Sequence, residues 1–134
     1  MSAYWDSSAL FEAVQILGVR KALRKVSGFT RPHALAEVFS TLTGGSLGYR
    51  RQTDDAAKIG RELAADVKFV ELDEQETLHA FATSLKHGVR GGQIHDYLHA
   101  IAARKAGALT IYTLKTEDFR SLGLPLTIAP PPSV

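Results

Sequence analysis

Four acidic residues spread along the chain, Asp6, Glu37, Asp96 and Asp118, are the side chains whose type and placement could do chemistry together. Carboxylates brought to one place repel one another until a cation neutralises them, and their hard oxygens suit Mg²⁺ or Mn²⁺. Each acid also has a plain structural reading. Asp6, in Tyr4-Trp5-Asp6-Ser7-Ser8-Ala9-Leu10, follows a short apolar run and could cap a helix by accepting its free amides. Glu37 lies roughly opposite the Leu35, Val38, Phe39 and Leu42 stripe of a helix, where a solvated acid belongs. Asp96 falls early in a helix, where an acid partners the helix dipole. Asp118, in Glu117-Asp118-Phe119, could cap a short helix near the end of the chain. Convergence of the four at one place would decide between cap and ligand.

The elements that would bring them together follow two hydrophobic periods. Short apolar runs at residues 2–5, 67–72, 108–113 and 125–129, each bounded by turn or capping residues, predict strands. Between them lie helical patterns. Pro32 sits in the first turn of the Glu37 helix, where its missing amide does no harm. A further helix begins near Asp54, with Ile59 and Leu63 on one side. Asp73 with Glu76 forms a capping pattern ahead of a stripe of Leu78, Phe81, Ala82 and Leu85, which Gly88 stops. In the Asp96 helix, which follows Gly91-Gly92, Ile94, Leu98 and Ile101 form one face. Ala100 and Ala103 lie opposite, the pattern of a helix packed on two sides. Helices interleaved with strands predict an α/β fold with a mostly parallel central sheet of four to five strands, flanked by helices on both faces. Ligands bind such sheets beyond the carboxyl ends of the strands. Asp6, just past the first strand, and the segment from Thr113 to Asp118, just past the third, both fall at that rim.

Composition bounds the class. At 134 residues the chain has the size of one domain, expected over residues 1–129, with Pro130-Pro131-Pro132 opening a tail over 130–134 that should leave the fold extended. With 45% hydrophobic and 22% charged residues it is globular in type, and no apolar run reaches membrane-spanning length. The absence of cysteine excludes disulfide frameworks and thiolate metal sites. No basic region followed by a long apolar stretch marks the N-terminus, so a cytoplasmic location is expected. The net charge of +2 says little about partners. Its distribution says more, with Arg20, Lys21, Arg24 and Lys25 in one cluster and Arg50-Arg51 in another.

Four segments together resemble the PIN-domain family of metal-dependent ribonucleases, in particular the single-domain VapC-type toxins of bacterial toxin–antitoxin pairs. They are the Asp6 string above, Pro32-His33-Ala34-Leu35-Ala36-Glu37-Val38-Phe39, Gly91-Gly92-Gln93-Ile94-His95-Asp96-Tyr97-Leu98-His99-Ala100, and Leu109-Thr110-Ile111-Tyr112-Thr113 followed by Asp118-Phe119. The resemblance runs nearly the whole chain and rests on their order and spacing. It implies that Asp6, Glu37 and Asp96 are ligands of Mg²⁺ or Mn²⁺ at one end of the sheet. It further implies hydrolysis of RNA phosphodiesters to 5′-phosphate and 3′-hydroxyl ends, a cognate antitoxin and a homodimer. The fourth position departs from the pattern. In the family a Thr or Ser after the last core strand is commonly followed two residues later by Asp or Asn, whereas Thr113 is followed there by Lys115. Either Asp118, or failing that Glu117, moves in to replace the acid, or Lys115 contacts a substrate phosphate directly.

Ser8 and Thr113 either orient a ligand or a water, or satisfy local backbone groups. The segment Gly44-Gly45-Ser46-Leu47-Gly48-Tyr49-Arg50-Arg51 offers a stacking residue and two guanidiniums to a phosphate backbone, or is a solvated loop. The Arg20 cluster lies on an exposed helix face or contacts the antitoxin. Two other readings remain open. His95 and His99, at i and i+4 around Asp96, form a near-miss to the zinc-protease helix motif His-Glu-x-x-His and suggest a His-ligated metal hydrolase. Lys115 also allows a PIN-like module that binds RNA or protein with weak or no catalysis.

Overall fold

The computed structural model describes residues 2–26, 28–45 and 50–134. The elements run β1 (Ala3–Trp5), α1 (Ser7–Gln15), α2 (Leu17–Lys25), β2 (Gly28–Thr30), α3 (Pro32–Gly44), α4 (Thr53–Ala65) and β3 (Lys68–Phe69). They continue with α5 (Glu74–Ser84), a 3₁₀ turn (Leu85–His87), α6 (Gln93–Lys105), β4 (Thr110–Tyr112), α7 (Thr116–Arg120) and β5 (Thr127–Ala129). Among the described residues five strands pair in the order β3-β2-β1-β4-β5, every pair parallel. The α/β fold and parallel sheet expected from the sequence are the ones formed.

Strands this short are stable only because both faces of the sheet are covered. The alternation of side chains along β1 sends Tyr4 to one face and Trp5 to the other, and both are wholly buried. Tyr4 belongs to a core with Tyr97, Ala100 and Ala103 of α6, Ile111 of β4 and Phe119 of α7. Trp5 belongs to a second core with Leu10, Leu23, Val38 and Leu63 from α1 to α4. The alanines of α6 are buried, while Ile94, Leu98 and Ile101 are partly buried against the same core, so that helix is packed on two sides as its pattern predicts.

Local signals act where they were expected. Pro32 occupies the first turn of α3. Asp73 and Glu76 form a reciprocal capping box at the start of α5, and Gly88 ends the 3₁₀ turn at φ 66°. Three expectations fail. The apolar stripe Leu78, Phe81 and Leu85 faces solvent, and α5 instead turns Ala80 inward with the partly buried Thr77 and Thr83. Its N-terminal box and its packing on α6 through Ala80 and Thr83 set that orientation, with the Thr83 hydroxyl bonded to Tyr97 at 2.7 Å. Strand β3 is two residues long rather than the whole of 67–72. The Pro-rich tail stays on the fold, where the Val134 amide donates to the Gly18 carbonyl at 3.0 Å and Gly18 leaves room that a Cβ would fill. The basic cluster of α2 is partly neutralised internally. Arg20 and Arg24 both reach Asp66 at the end of α4, at 2.9 and 3.2 Å.

Two contacts fix the strands that carry the rim. Gly28 on β2 lies against the Trp5 indole, and a Cβ there would come to 3.0 Å of its ring. Arg31, after β2, donates to Glu71, after β3, at 3.0 Å, which ties the two strand ends together where α3 departs. Burial raises the Glu71 carboxyl, but the Leu72 amide and Arg31 outweigh it and hold it below its ordinary value of 4.5. A carboxyl with a depressed folded-state pKa stabilises the fold above its ordinary value, and that stability is lost as pH falls through the folded value. Urea denaturation across pH 3 to 6 is therefore expected to show a shallower acid loss for Glu71→Gln than for the parent. Gly28→Val should overpack the indole and cost about 1–3 kcal/mol, read in the same titrations by the fluorescence of Trp5, the chain's single tryptophan.

Candidate active site

Winding of the sheet reverses between β1 and β4, and at that point a crevice opens beyond the carboxyl ends of the strands. Asp6 follows β1 and Thr113 follows β4, and parallel pairing sets them side by side, with the Asp6 amide bonded to the Tyr112 carbonyl at 3.2 Å. Asp6 is 1% exposed. Its Oδ1 accepts from the Ala9 amide at 2.9 Å and from Ser8 Oγ at 2.7 Å, and its Oδ2 accepts from Thr113 Oγ1 at 2.6 Å. Asp6 is thus the N-cap of α1 and also a rim carboxylate. Ser8 and Thr113 satisfy local backbone groups, as one of their two readings has it, and also hold Asp6. Each hydroxyl donates to Asp6, while Ser8 accepts the Leu114 amide and Thr113 the Lys115 amide, both at 2.9 Å.

That last bond places Lys115. From there its Nζ reaches Asp96 Oδ1 at 2.7 Å, against a carboxylate that α6 carries in its first turn and leaves 8% exposed. Burial lowers the Lys115 pKa, but the bond and charge of Asp96, then the charges of Asp6 and Asp118, raise it above its ordinary value. The Lys115 charge also acts on Glu37. One ammonium therefore bonds one of the four acids, Asp96, and acts on the other three through its charge. They do not contribute equally. Asp118 stands exposed on α7, and Glu117 points outward to Arg120 at 3.7 Å.

Glu37 is half-buried rather than solvated. Its Oε1 accepts from His99 Nε2 at 2.9 Å, and His33 lies 3.9 Å away. Burial raises the Glu37 carboxyl, but the His99 bond, with the charges of His33 and Lys115, leaves it below its ordinary value. His99 is 2% exposed, and its Nδ1 meets the Tyr4 hydroxyl at 2.6 Å. Helix α3 packs with the Trp5 core and α6 with the Tyr4 core, so this bond spans the rim between the two layers. Sequence reasoning missed it, although polar Tyr4 two residues before Asp6 and His99 three residues after Asp96 share the faces of those acids. The histidine pair does not act as a ligand pair. Both ring nitrogens of His99 are engaged, while His95 stacks on His33 with centroids 6.0 Å apart.

The donors at the rim are carboxylates, which in charge and hardness fit a cation such as Mg²⁺ or Mn²⁺. Among the described residues no three His, Asp or Glu side chains are drawn together into a ready-made metal cage. The Lys115 ammonium supplies the positive charge instead. A groove of about 190 Å³, lined by Ser7, Phe11, Leu114 and the Ser8 that holds Asp6, shares Phe11 and Thr41 with a second of about 400 Å³ that includes Arg51, and neither is lined by the four acids themselves. Arg50 and Arg51 are exposed, and residues 46–49 of the expected RNA-gripping segment lie outside the described residues. A larger cavity of about 550 Å³, lined by His79, Thr83, Tyr97 and Arg104, lies between α5 and α6 and includes none of the four acids.

Replacing Thr113 by Val keeps its shape but removes a donor to a buried charge and an acceptor for the Lys115 amide. Thr113→Val is expected to cost about 1–3 kcal/mol in urea denaturation, with Thr113→Ser close to the parent.

No curated protein matches this chain in sequence. In structure it is similar to VapBC-1 from nontypeable Haemophilus influenzae, with TM-score 0.69, 15% identity, and coverage of 97% of this chain and 98% of that one. PAE2754 from Pyrobaculum aerophilum gives 0.68 at 15% identity, covering 90% and 84%. VapC20 of Mycobacterium tuberculosis, a sarcin-ricin loop cleaving toxin, gives 0.65 at 18% identity, covering 92% and 98%. No helix among the described residues is long and apolar enough to cross a membrane. The PIN domain family matches residues 3–123, about nine-tenths of the chain, at whose rim the acids lie, and the chain belongs to that family.

Proposed function

We propose that the chain is a Mg²⁺- or Mn²⁺-dependent endoribonuclease and the toxin of a bacterial toxin–antitoxin pair. The observation that carries this reading is the buried Asp6 carboxylate at the switch point of a PIN fold, joined through Thr113 to Lys115 and its bond to Asp96. Carboxylates carried to one rim have a use for a cation, and Asp6, Glu37 and Asp96 would hold it, with Asp118 at its edge. A bound divalent ion would lower the pKa of a water and offset charge growing on phosphate oxygens. The chain's own groups do the rest. Ser8, Ala9 and Thr113 fix the Asp6 carboxylate, Lys115 meets a phosphate oxygen, and the groove from Ser8 to Arg51 accepts the strand. Attack of water oxygen on phosphorus breaks the bond to O3′, leaving 5′-phosphate and 3′-hydroxyl ends.

A VapBC assembly and a VapC toxin among the structural relatives support a cognate antitoxin as partner. The exposed Leu78, Phe81 and Leu85 face of α5 is an apolar surface that a partner or a second copy of the chain would cover. The proposed place of action is the cytoplasm. A second reading, a PIN-like module that binds RNA or protein with weak or no catalysis, is favoured by the direct bond of Lys115 to Asp96.

Purified protein given Mn²⁺ or Mg²⁺ is expected to cleave structured RNA. Asp6→Asn and Asp96→Asn should each lower the rate by about 100-fold or more, with an unchanged circular dichroism spectrum, and His95→Ala should leave it within a few-fold. Loss of activity in His95→Ala but not in Asp6→Asn would refute the acid-cluster reading. Expression without a partner arrests growth if the chain is a toxin and leaves it unaffected if it is a binding module.

A further inference from the structure

We propose that Tyr4 and His99 form a buried positioning pair that sets the Glu37 carboxylate for metal binding, a role that rests on the reading of Glu37 as a metal-holding acid. With Glu37 a carboxylate and the His99 imidazole neutral, one proton arrangement satisfies every group. Glu37 as a carboxylate can only accept, so His99 Nε2 carries the proton across the 2.9 Å bond. Nδ1 then accepts from the Tyr4 hydroxyl at 2.6 Å.

Both members are wholly inside the domain, at 0% and 2% exposure, in a strand and a helix whose neighbouring core positions are apolar or small. A tyrosine and a histidine in such places are costly unless each finds its partner. The chain they form ends on a side chain that is a third exposed, and it ends from the opposite layer of the fold. Without His99, Glu37 would be a half-exposed side chain of α3 with several rotamers, and a cation would have to order it on binding. With His99, one oxygen is pinned and the other is aimed by the same contact. Donors that orient a ligating carboxylate commonly account for 10–100-fold in metal affinity. Tyr4 adds the orientation of the imidazole itself, so β1 sets Asp6 directly and Glu37 through His99.

The test measures Mn²⁺ affinity of the free protein by the loss of the free-ion signal in electron paramagnetic resonance. Glu37→Gln serves as the reference and should weaken binding. His99→Asn keeps a polar group toward Tyr4 but is too short to reach Glu37, and should weaken Mn²⁺ binding about 10–100-fold. His99→Gln, which restores the reach to Glu37, should recover most of that loss, a rescue that a merely structural histidine would not show. Where His99→Asn does not fold, the double variant Tyr4→Phe with His99→Leu strands no buried polar group and carries the same expectation. Parent-like Mn²⁺ affinity in a folded His99→Asn or double variant, alongside weakened binding in Glu37→Gln, overturns the positioning pair and leaves the metal site standing. Parent-like affinity in Glu37→Gln overturns the reading of Glu37 and the pair with it.

Discussion

A carboxylate buried at the end of β1 is the constraint from which the rest of the site follows. A charge taken out of water is tolerated only when the protein replaces its hydration with donors. Asp6 obtains three, and they come from two separate parts of the chain: Ser8 and the Ala9 amide from the start of α1, and Thr113 from the end of β4. Satisfying Asp6 therefore requires β1 and β4 to be neighbours in the observed register. That register delivers the residue after next, Lys115, to Asp96 on α6. One buried charge thus fixes the strand order at the centre of the sheet and decides which cation meets the second acid.

The three inner acids are held by different means, and the differences matter chemically. Asp6 is held by neutral hydroxyls and an amide, which fix it without cancelling its charge. Asp96 is held by an ammonium on a flexible side chain that is 46% exposed and free to swing towards solvent. Glu37 is held by an imidazole from the other layer. The rim is consequently rigid at Asp6, where the strands meet. It is adjustable at Asp96, whose partner is a long, half-exposed side chain, and less so at Glu37, whose partner His99 is buried.

Much of this arrangement was legible in the sequence where a residue's local chemistry and its tertiary role agree. Pro32, the Asp73 and Glu76 box and Gly88 act through their own backbone and stand where they were expected. Asp6 was legible as a cap and in its place at the rim, because a cap at the end of a parallel strand lies at the carboxyl edge of the sheet. What stayed hidden depended on partners far along the chain. Strand β2 has three residues, begins with Gly28 and is held by its neighbours, so no periodicity marks it. The helical wheel placed Glu37 on the solvent side of α3 correctly with respect to that helix's own core, but could not see α6 arriving over the rim with His99. The Leu78, Phe81 and Leu85 stripe misled for the opposite reason, since an apolar stripe says that a surface is to be covered without saying by which element.

Lys115 is where the chain departs from the pattern of its family, and the departure has an electrostatic consequence. An acid at that position would add to the repulsion among Asp6, Glu37 and Asp96, and four inner carboxylates would call for two divalent ions. A lysine both removes that negative charge and adds a positive one, so three carboxylates and one ammonium leave a deficit that a single divalent ion balances. Asp118, exposed on α7 and acting on Lys115 only through its charge, does not restore the missing acid at the same depth. On the nuclease reading, the ammonium supplies beside Asp96 positive charge that a metal ion would otherwise have to bring. It is a weaker but permanently tethered substitute, since it cannot be lost by dissociation. An ammonium cannot activate a water as a metal ion does, so on that reading its part would be confined to binding phosphate oxygens. The same tether holds Asp96 in place before any ion arrives, which spares the ion-free fold the repulsion that clustered acids otherwise impose.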